Sequence, residues 1–177
     1  MIKKLEILFF RLLVLILILS NSSCSETNFD IVVVGGGTSG VASAIQSSRL
    51  GSKTLLIEES NWLGGMLTSA GVSAMDGNYK MPSGFLKEFR DSLVSYYGHL
   101  DSLKTGWVSN FMFEPSVGNR ILKDIANQEK NLTILFGTTV SEVVKNENFS
   151  IKINERPSIY KSKILIDATE RGDLIPM

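Results

Sequence analysis

Three glycines at a fixed spacing have the clearest chemical meaning in this chain. Gly35, Gly37 and Gly40 follow an apolar, strand-like run at 29–34 and precede a helix-like stretch at 41–50. In a G-x-G-x-x-G turn, the first glycine allows the sharp bend, the second lets a pyrophosphate approach the backbone, and the third lets helix and strand pack closely. The free N–H groups at the helix start would then face the anion. The turn therefore predicts a site for a dinucleotide.

An acidic residue follows the next predicted strand, where such a site binds a ribose. The strand covers 53–57 and ends at Glu58, about 20 residues after the glycines, which is the usual spacing. Glu59 comes directly after it, so either carboxylate could face the ribose. Strand, turn, helix, strand and acid in this order indicate a βαβ unit. A βαβ unit that merely has glycines in its turn is the structural alternative.

Composition excludes several classes of site. The chain has 177 residues with 18 basic and 18 acidic side chains, and no basic patch indicates a nucleic-acid partner. It has a single cysteine and a single histidine. These counts exclude an internal disulfide framework, a cysteine-built iron–sulfur cluster and a cysteine-built zinc site, and they leave little room for a histidine-rich one. We therefore expect no metal site.

The N-terminal residues have the pattern of a targeting segment. Basic residues precede an apolar run at 12–19, which is too short for a bilayer that needs about 20 residues. Residues 1–23 are therefore predicted to be a signal peptide. The segment resembles a bacterial lipoprotein signal with Cys24 as the lipidated residue, although Asn21 departs from the aliphatic residue usual there. An ordinary secretory signal and an uncleaved anchor are the alternatives. We expect export to the bacterial cell envelope, with membrane attachment through the lipid anchor or the signal segment.

The remaining sequence predicts an alternation of helices and strands. Residues 24–28 are interpreted as a polar linker. Apolar residues recur every three or four positions in two predicted helices and every second position in the later strands. The helices are predicted at 82–97 and 115–130, and the strands at 132–136, 139–144, 149–153, 158–161 and 164–169. The strands at 139–144, 149–153 and 158–161 are expected to form an antiparallel meander. The fold class is therefore α/β and Rossmann-like.

Four motifs together carry a family resemblance. They are Asp30–Gly40, Trp62–Gly71 (WLGGMLTSAG), Phe113–Ser116 (FEPS) and Asp167–Asp173 (DATERGD). With them the sequence resembles the FAD-dependent oxidoreductases of the glutathione-reductase-like flavoprotein superfamily. The resemblance implies a Rossmann-like FAD-binding domain over 29–177, with a parallel sheet and an inserted antiparallel β-meander. It also implies FAD as cofactor and hydride or electron transfer between the flavin and a small-molecule substrate.

The resemblance assigns cofactor contacts to particular residues. These are Gly35, Gly36, Gly37, Thr38, Ser39 and Gly40 at the pyrophosphate, Glu58 or Glu59 at the adenosine ribose, Gly64, Gly65 and Met66 along the pyrophosphate and ribityl chain, Val140 at the adenine, and Ala168 and Thr169 over the dinucleotide. Simple strand packing is the alternative for Val140, and capping of a strand end is the alternative for Thr169. No catalytic residue is singled out. Asp76, Tyr79, Arg90 and Arg171 are polar groups that could approach a substrate.

Family members extend beyond the position of Met177, adding a substrate-facing region and a last Rossmann strand. The resemblance therefore implies an N-terminal fragment whose domain is incomplete at its C-terminus, and we expect that it is inactive alone. Two rival hypotheses stay open. One is a different cofactor, NAD or NADP, although an acid at Glu58 disfavours the 2′-phosphate of NADP. The other is a non-catalytic surface lipoprotein or partner-binding module. Neither substrate nor oligomeric state follows from the sequence.

Overall fold

The computed structural model describes residues 25–75, 79–105, 109–155 and 158–175. The predicted signal peptide, Cys24 and Asp76 lie outside these ranges. The elements are β1 (Ser25–Val34), α1 (Thr38–Arg49), β2 (Thr54–Ile57), α2 (Gly84–Tyr97), α3 (Pro115–Asn127), β3 (Leu132–Leu135), β4 (Val140–Lys145), β5 (Phe149–Ile153) and β6 (Ser158–Asp167). Short 3₁₀ turns lie at Gly65–Leu67 and Leu100–Leu103. In the described part of the chain, no helix is long and apolar enough to cross a bilayer.

A single mixed sheet organises the molecule. Its six strands lie in the order β3-β2-β1-β6-β5-β4. β1 pairs in parallel with β2 on one side and β6 on the other, and β2 pairs in parallel with β3. β4, β5 and β6 are antiparallel neighbours. The predicted α/β class, with a parallel sheet and an antiparallel meander, is confirmed.

The apolar strands of the parallel half are covered on both faces. On one face Val33 and Leu56 pack against α1, α2 and α3, which contribute buried Ile45, Phe89 and Ile121 among others. On the other face Val32, Val34, Leu55 and Ile57 pack against the meander, which contributes Ile151 and Tyr160. Continuous β-branched and leucine runs are typical of parallel strands that are buried on both sides. The two clusters fix the carboxyl ends of β1 and β2 at a common edge.

The helices form where the apolar periodicity predicts them and bury those apolar residues. α3 begins with Pro115 at its first position, as the missing proline N–H favours, and it buries Val117, Ile121, Leu122 and Ile125. It ends at Asn127, three residues before the predicted end at 130. α1 begins at Thr38, three residues earlier than its apolar pattern at 41–50 indicated. Its first turn therefore belongs to the glycine motif itself.

Two sequence predictions are wrong, and both concern the pairing of β1 with β6. β1 begins at Ser25 and pairs with β6 from Ser25↔Ser158 onward, so 25–28 are strand residues and not part of a linker at 24–28. The two strands predicted at 158–161 and 164–169 are one ten-residue strand. Its middle residue Ser162 is 2% exposed and pairs with both Phe29 and Phe149. Backbone pairing with distant strands overrides the polar composition that suggested a linker and a break.

The C-terminal half of β6 has one free edge within the described residues. Ile164–Asp167 pairs with β1, whereas the pairing with β5 stops at Ser162. Ile164 is 52% exposed at this edge. β6 therefore ends directly beside Val34, and the residues after Asp167 meet the glycine turn.

Candidate functional site

The carboxyl ends of β1, β2 and β6 meet at one edge of the sheet and border a cleft of about 630 Å³. This size lies in the range of small-molecule sites, and the carboxyl edge of an open α/β sheet is the usual place for a ligand. Three segments that follow these strands line the cleft, at 35–37, 58–60 and 168–174. Residues 138–140, which lead into β4, form the fourth wall.

Packing requires two of the motif glycines. Gly35 has φ of 101°, which disfavours any side chain, and a Cβ added there would lie 2.4 Å from the Ala168 carbonyl oxygen. A Cβ at Gly40 would lie 1.8 Å from the carbonyl oxygen of Gly35. The sharp bend and the close approach of α1 to β1 therefore depend on these residues, as the spacing predicted.

Packing does not require Gly37. Its φ of −62° suits any residue, and an added Cβ would meet no atom of the described chain nearer than the Ala168 carbonyl oxygen at 4.0 Å. Gly37 lines the cleft. The free space above its Cα therefore belongs to the cleft, where a ligand could approach the backbone.

The start of α1 supplies donors to this space. Gly37 is the N-cap residue, no side chain caps the helix and no acidic residue stands in its first turn. The first N–H groups of a helix have no intrahelical acceptor and carry the positive end of its dipole. Thr38 and Ser39 are exposed at this end. The helix start therefore presents N–H groups suited to an anion.

Of the two acids after β2, Glu58 is the buried one. Its side chain is buried, its Oε2 accepts from Gly36 N at 2.5 Å, and its Oε1 accepts from Ser60 N at 2.8 Å and Ser60 Oγ at 2.5 Å. An ionised carboxylate offers about four acceptor positions, so one direction stays open toward the cleft. Glu59 also lines the cleft but is exposed. Glu58 therefore fixes the glycine turn and can still accept a hydroxyl.

The segment around Gly64 and Gly65 is bonded to the glycine turn. Gly64 N donates to Gly36 O at 2.8 Å, and Thr38 Oγ1 donates to Gly64 O at 2.9 Å. Gly64 and Gly65 have φ of 109° and 50°. Gly65 lines the cleft, whereas Met66 is 55% exposed outside its lining.

Two side chains that the sequence analysis missed bind Leu63, the residue directly before this segment. Asn119 of α3 accepts from Leu63 N at 2.9 Å, and the Thr68 hydroxyl donates to Leu63 O at 2.5 Å. Asn119 follows the FEPS motif by three residues, and its role depends on a helix that is distant in sequence. No local pattern could have indicated it.

The turn after β6 is organised by its own side chains. Ala168 N donates to Val34 O at 2.8 Å, which sets the turn against β1. Asp167 Oδ1 accepts from Thr169 N at 3.0 Å and from Thr169 Oγ1 at 2.6 Å, and Thr169 Oγ1 accepts from Asp173 N at 2.8 Å. Thr169 therefore caps the strand end and also lines the cleft.

The wall before β4 combines packing and polar contacts. Val140 is half-buried, packs against the meander cluster and lines the cleft. Thr138 N donates to Glu58 O at 3.0 Å, and Thr139 N donates to both carboxylate oxygens of Glu155 at 3.1 Å. Partial desolvation raises the pKa of Glu155, but the hydrogen bonds from Thr139 outweigh it, so this pKa lies below its ordinary value.

The cleft brings together most, but not all, of the predicted contacts. Those that line it are Gly35, Gly36, Gly37, Glu58, Glu59, Gly65, Val140, Ala168 and Thr169. The others, which lie beside or beneath the lining, are Thr38, Ser39, Gly40, Gly64 and Met66. The lining residues that the cofactor assignment missed are Val34, Ile57, Ser60, Ser69, Thr138, Thr139, Glu170, Arg171, Asp173 and Leu174. Most of these follow a strand end, which is the signal that could have found them.

Of the polar groups considered for a substrate, Arg90 has a structural contact. Its Nη1 donates to the carbonyl oxygens of Tyr79 and Met81 at 2.9 and 3.0 Å. Arg90 and Tyr79 are not among the cleft-lining residues, whereas Arg171 is. Arg90 therefore fastens the segment before α2 to that helix.

Comparisons with known proteins agree with this architecture. A family model described as FAD dependent oxidoreductase matches residues 30–177. The chain is 27% identical over 158 residues to digeranylgeranylglycerophospholipid reductase of Sulfolobus acidocaldarius, covering 81% of this chain and 34% of that protein. It is 28% identical over 138 residues to NADH:fumarate oxidoreductase of Klebsiella pneumoniae, covering 77% of this chain and 14% of that protein. The chain thus spans a minor part of these relatives' lengths.

A solved structure shows the same fold. Cyclohexanone monooxygenase bound to epsilon-caprolactone superimposes with a TM-score of 0.52 at 17% identity, covering 81% of this chain and 27% of that chain. At this identity the likeness concerns the fold alone. The fold of the chain is therefore that of a known architecture.

Proposed function

The chain belongs to the FAD dependent oxidoreductase family, and from that premise we propose that the cleft holds FAD for redox chemistry on a small-molecule substrate. The reaction class is hydride or electron transfer between the substrate and the flavin. The flavin supplies the electron chemistry, and the protein supplies binding, orientation and electrostatics. FAD is the cofactor of the family, and the residues around the cleft suit it.

Each part of the cofactor has suitable residues. The pyrophosphate would lie above Gly37 and accept hydrogen bonds from the first N–H groups of α1. Glu58, with one acceptor direction open, would bind a ribose hydroxyl. The adenine would lie beside Val140, and Ala168 and Thr169 would close over the dinucleotide. A 2′-phosphate beside the Glu58 carboxylate would be repelled, which disfavours NADP.

The proposal rests on Gly37, a glycine that neither packing nor backbone conformation requires. Gly35 and Gly40 are explained by contacts of 2.4 and 1.8 Å that a Cβ would make with the backbone, whereas Gly37 has only a 4.0 Å neighbour and an ordinary φ. A ligand that needs the backbone bare accounts for this glycine. The family match and this open space therefore support the same conclusion independently.

Titration of the purified protein with FAD tests the proposal. We expect the wild type to quench flavin fluorescence with a saturable curve, and Gly37→Ala to weaken binding about tenfold or more, because a methyl group would displace the phosphate. The same variant should unfold within about 1 kcal/mol of the wild type, since its backbone conformation and surroundings accept alanine. Gln46→Ala, at an exposed position of the same helix, is the matched control and should bind normally.

Two outcomes would contradict the proposal. One is an absence of FAD binding by the folded wild type at micromolar concentration. The other is equal affinity of Gly37→Ala and the wild type. Competition with NAD and NADP identifies the preferred dinucleotide in the same assay, and preference for either would replace FAD as the cofactor.

A finer proposal is that the 177-residue chain alone binds FAD but does not turn over a substrate. The residues proposed to bind the phosphates and the ribose lie within it, whereas the chain spans 34% of the Sulfolobus acidocaldarius relative. We therefore expect FAD binding without substrate oxidation. Steady reduction of an artificial electron acceptor by the FAD-loaded chain with a panel of substrates would contradict this expectation.

The N-terminal sequence supports a proposal about location. The signal-like residues 1–23 and Cys24 favour export to a bacterial cell envelope, with lipidation of Cys24 as the means of membrane attachment. Labelling of the protein with radioactive palmitate in a bacterial host tests this proposal. Incorporation that is lost in Cys24→Ser supports it, and unlabelled mature protein would contradict it.

A further inference from the structure

We propose that Glu170 is a specificity-determining residue whose carboxylate repels anionic ligands at the glycine turn. The inference rests on the proposed function, because it concerns the phosphate end of the same cleft. It assigns to Glu170 a role opposite to that of the backbone N–H groups. The affinity for FAD is then the difference between two effects of similar size.

The first observation is the position of the side chain. A Cβ added to Gly65 would lie 2.7 Å from Glu170 Oε1 and 3.0 Å from the Cα of Gly37. The carboxylate therefore reaches from the turn after β6 to the place where the Gly64–Gly65 segment contacts the glycine turn. This is the neighbourhood of Gly37, where the pyrophosphate is proposed to lie.

The second observation is that no cation balances this carboxylate. Among the described residues, Glu170 has no hydrogen-bond or ion-pair partner. Its neighbour Arg171 lies instead 3.5 Å from Asp173, with a side chain that is 78% exposed. A carboxylate without a partner is free to change rotamer, and no neighbouring cation offsets its charge.

The third observation is the charge of the whole cleft. Its charged lining residues are the acids Glu58, Glu59, Glu170 and Asp173 and the base Arg171. Glu58 is engaged by three donors and is fixed, whereas Glu59, Glu170 and Asp173 are all exposed. The pyrophosphate of FAD carries two negative charges, so the side chains repel it while the helix start attracts it. Dissolved salt screens the side-chain repulsion over a Debye length of about 10 Å at 0.1 M.

The alternative role for Glu170 predicts the opposite sign. If its carboxylate accepted a hydroxyl of the bound cofactor, removal of the charge would weaken binding. If it repels the phosphates, removal of the charge strengthens binding. The sign of the change therefore decides between the two roles.

The experiment measures the FAD affinity of the full chain by flavin fluorescence quenching at 20 and 300 mM NaCl, where the Debye length is about 22 and about 6 Å, from its inverse-square-root scaling with ionic strength. Three variants are compared with the wild type. Glu170→Gln removes the charge in question, Glu59→Gln removes an exposed charge at the ribose end, and Arg171→Gln removes the cation. Riboflavin, which has no phosphate, is the uncharged probe, and thermal unfolding confirms that each variant is folded.

We expect Glu170→Gln to bind FAD about fivefold more tightly at low salt, the size of a partly screened charge interaction. The wild-type affinity should rise with salt, and the rise should be smaller in Glu170→Gln. Glu59→Gln should change affinity less, and Arg171→Gln should weaken it. Riboflavin should bind wild type and Glu170→Gln equally.

Other results would overturn the inference. Equal or weaker FAD binding by Glu170→Gln, with the wild type binding FAD, overturns it and leaves the proposed function intact. An equal gain for riboflavin also overturns it, because the effect would then not depend on the phosphates. Failure of both wild type and Glu170→Gln to bind FAD ends the proposed function together with the inference.

Discussion

The turns after β1 and β6 lie side by side at the cleft, and they are built in opposite ways. The turn at 35–40 depends on glycines, and its shape follows from backbone contacts to Ile57 O and Ala168. The turn at 167–173 contains side-chain hydrogen bonds among Asp167, Thr169 and Asp173. One turn presents N–H groups to the cleft, and the other presents carboxylates.

This difference separates two kinds of constraint. Gly35 and Gly40, where an added Cβ would lie 2.4 and 1.8 Å from a backbone carbonyl oxygen, cannot change residue without shifting the backbone,. A turn formed by exposed side chains can change residue at small cost and can therefore adjust the charge of the cleft. If the proposed function is right, the glycine turn fixes where a phosphate can lie, and the turn after β6 adjusts how strongly it is held. The comparison therefore predicts that substitutions at the packed glycines lower stability more than substitutions in the turn after β6.

The largest effect is expected at Gly40. A Cβ there would lie 1.8 Å from Gly35 O and 3.1 Å from the Ala168 side chain, so Gly40→Ala must push α1 away from β1. We expect a loss of about 3 kcal/mol or more in the free energy of unfolding, since backbone clashes in a packed core relax poorly. Urea denaturation followed by circular dichroism measures it. Gly37→Ala is the control within the same motif, and equal stabilities of the two variants would show that packing does not distinguish the two glycines.

An intermediate effect is expected at Asp167. Its carboxylate accepts from Thr169 N and Thr169 Oγ1, and a longer contact of 3.4 Å reaches Leu174 N. Asp167→Ala should lower the free energy of unfolding by about 1–2 kcal/mol, toward the lower end of the range for hydrogen bonds to a charged group because Asp167 is exposed,. It should also loosen Ala168 and Thr169, the residues proposed to close over FAD.

Asp173→Ala is the matched control for this prediction. Asp173 contributes its backbone N–H to the turn, which alanine keeps, and its carboxylate lies near an exposed Arg171. Exposed pairs of this kind contribute little, so the variant should unfold like the wild type. A larger loss for Asp173→Ala than for Asp167→Ala would refute the proposed organisation of the turn.

The sequence predicted the roles of residues in the turn after β1 better than those in the turn after β6. The roles of Gly35 and Gly40 follow from local spacing, because strand, turn and helix are adjacent in the chain. The choice between Glu58 and Glu59 required burial, which places Glu58 against Gly36 N. The position of Glu170 depends on Gly65, more than a hundred residues earlier. Contacts of such sequence separation leave no periodic pattern in the residues.

The errors at β1 and β6 have the same origin. Residues 25–28 are polar and were interpreted as a linker, yet they form a strand because β6 offers backbone partners. Ser162 and Lys163 interrupt the apolar run of β6, yet the strand continues because Phe29 and Phe149 flank Ser162 on both sides. Strand identity is here a property of pairing, which side-chain alternation reflects only where a face is uniformly buried.

The smallest effect concerns the wall before β4, where a side chain again does the positioning. Thr139 N and Oγ1 donate to Glu155, whose pKa lies below its ordinary 4.5 because these hydrogen bonds outweigh partial desolvation. A lowered folded-state pKa means that the contact stabilises above the unfolded value and is lost as pH falls through the folded value. Hydrogen-exchange protection of the Thr139 amide should therefore be constant from neutral pH to about pH 5 and should fall below about pH 4.

The neighbouring amide provides the control for this measurement. Thr138 N donates to the backbone carbonyl of Glu58 at 3.0 Å, and a peptide acceptor does not titrate in this range. Protection of Thr138, corrected for intrinsic exchange, should then stay constant where that of Thr139 declines. In Glu155→Gln the Thr139 amide should show weaker protection at neutral pH and no decline on acidification. If Thr139 lost protection equally in this variant and in the wild type, Glu155 would not be the group that holds this wall.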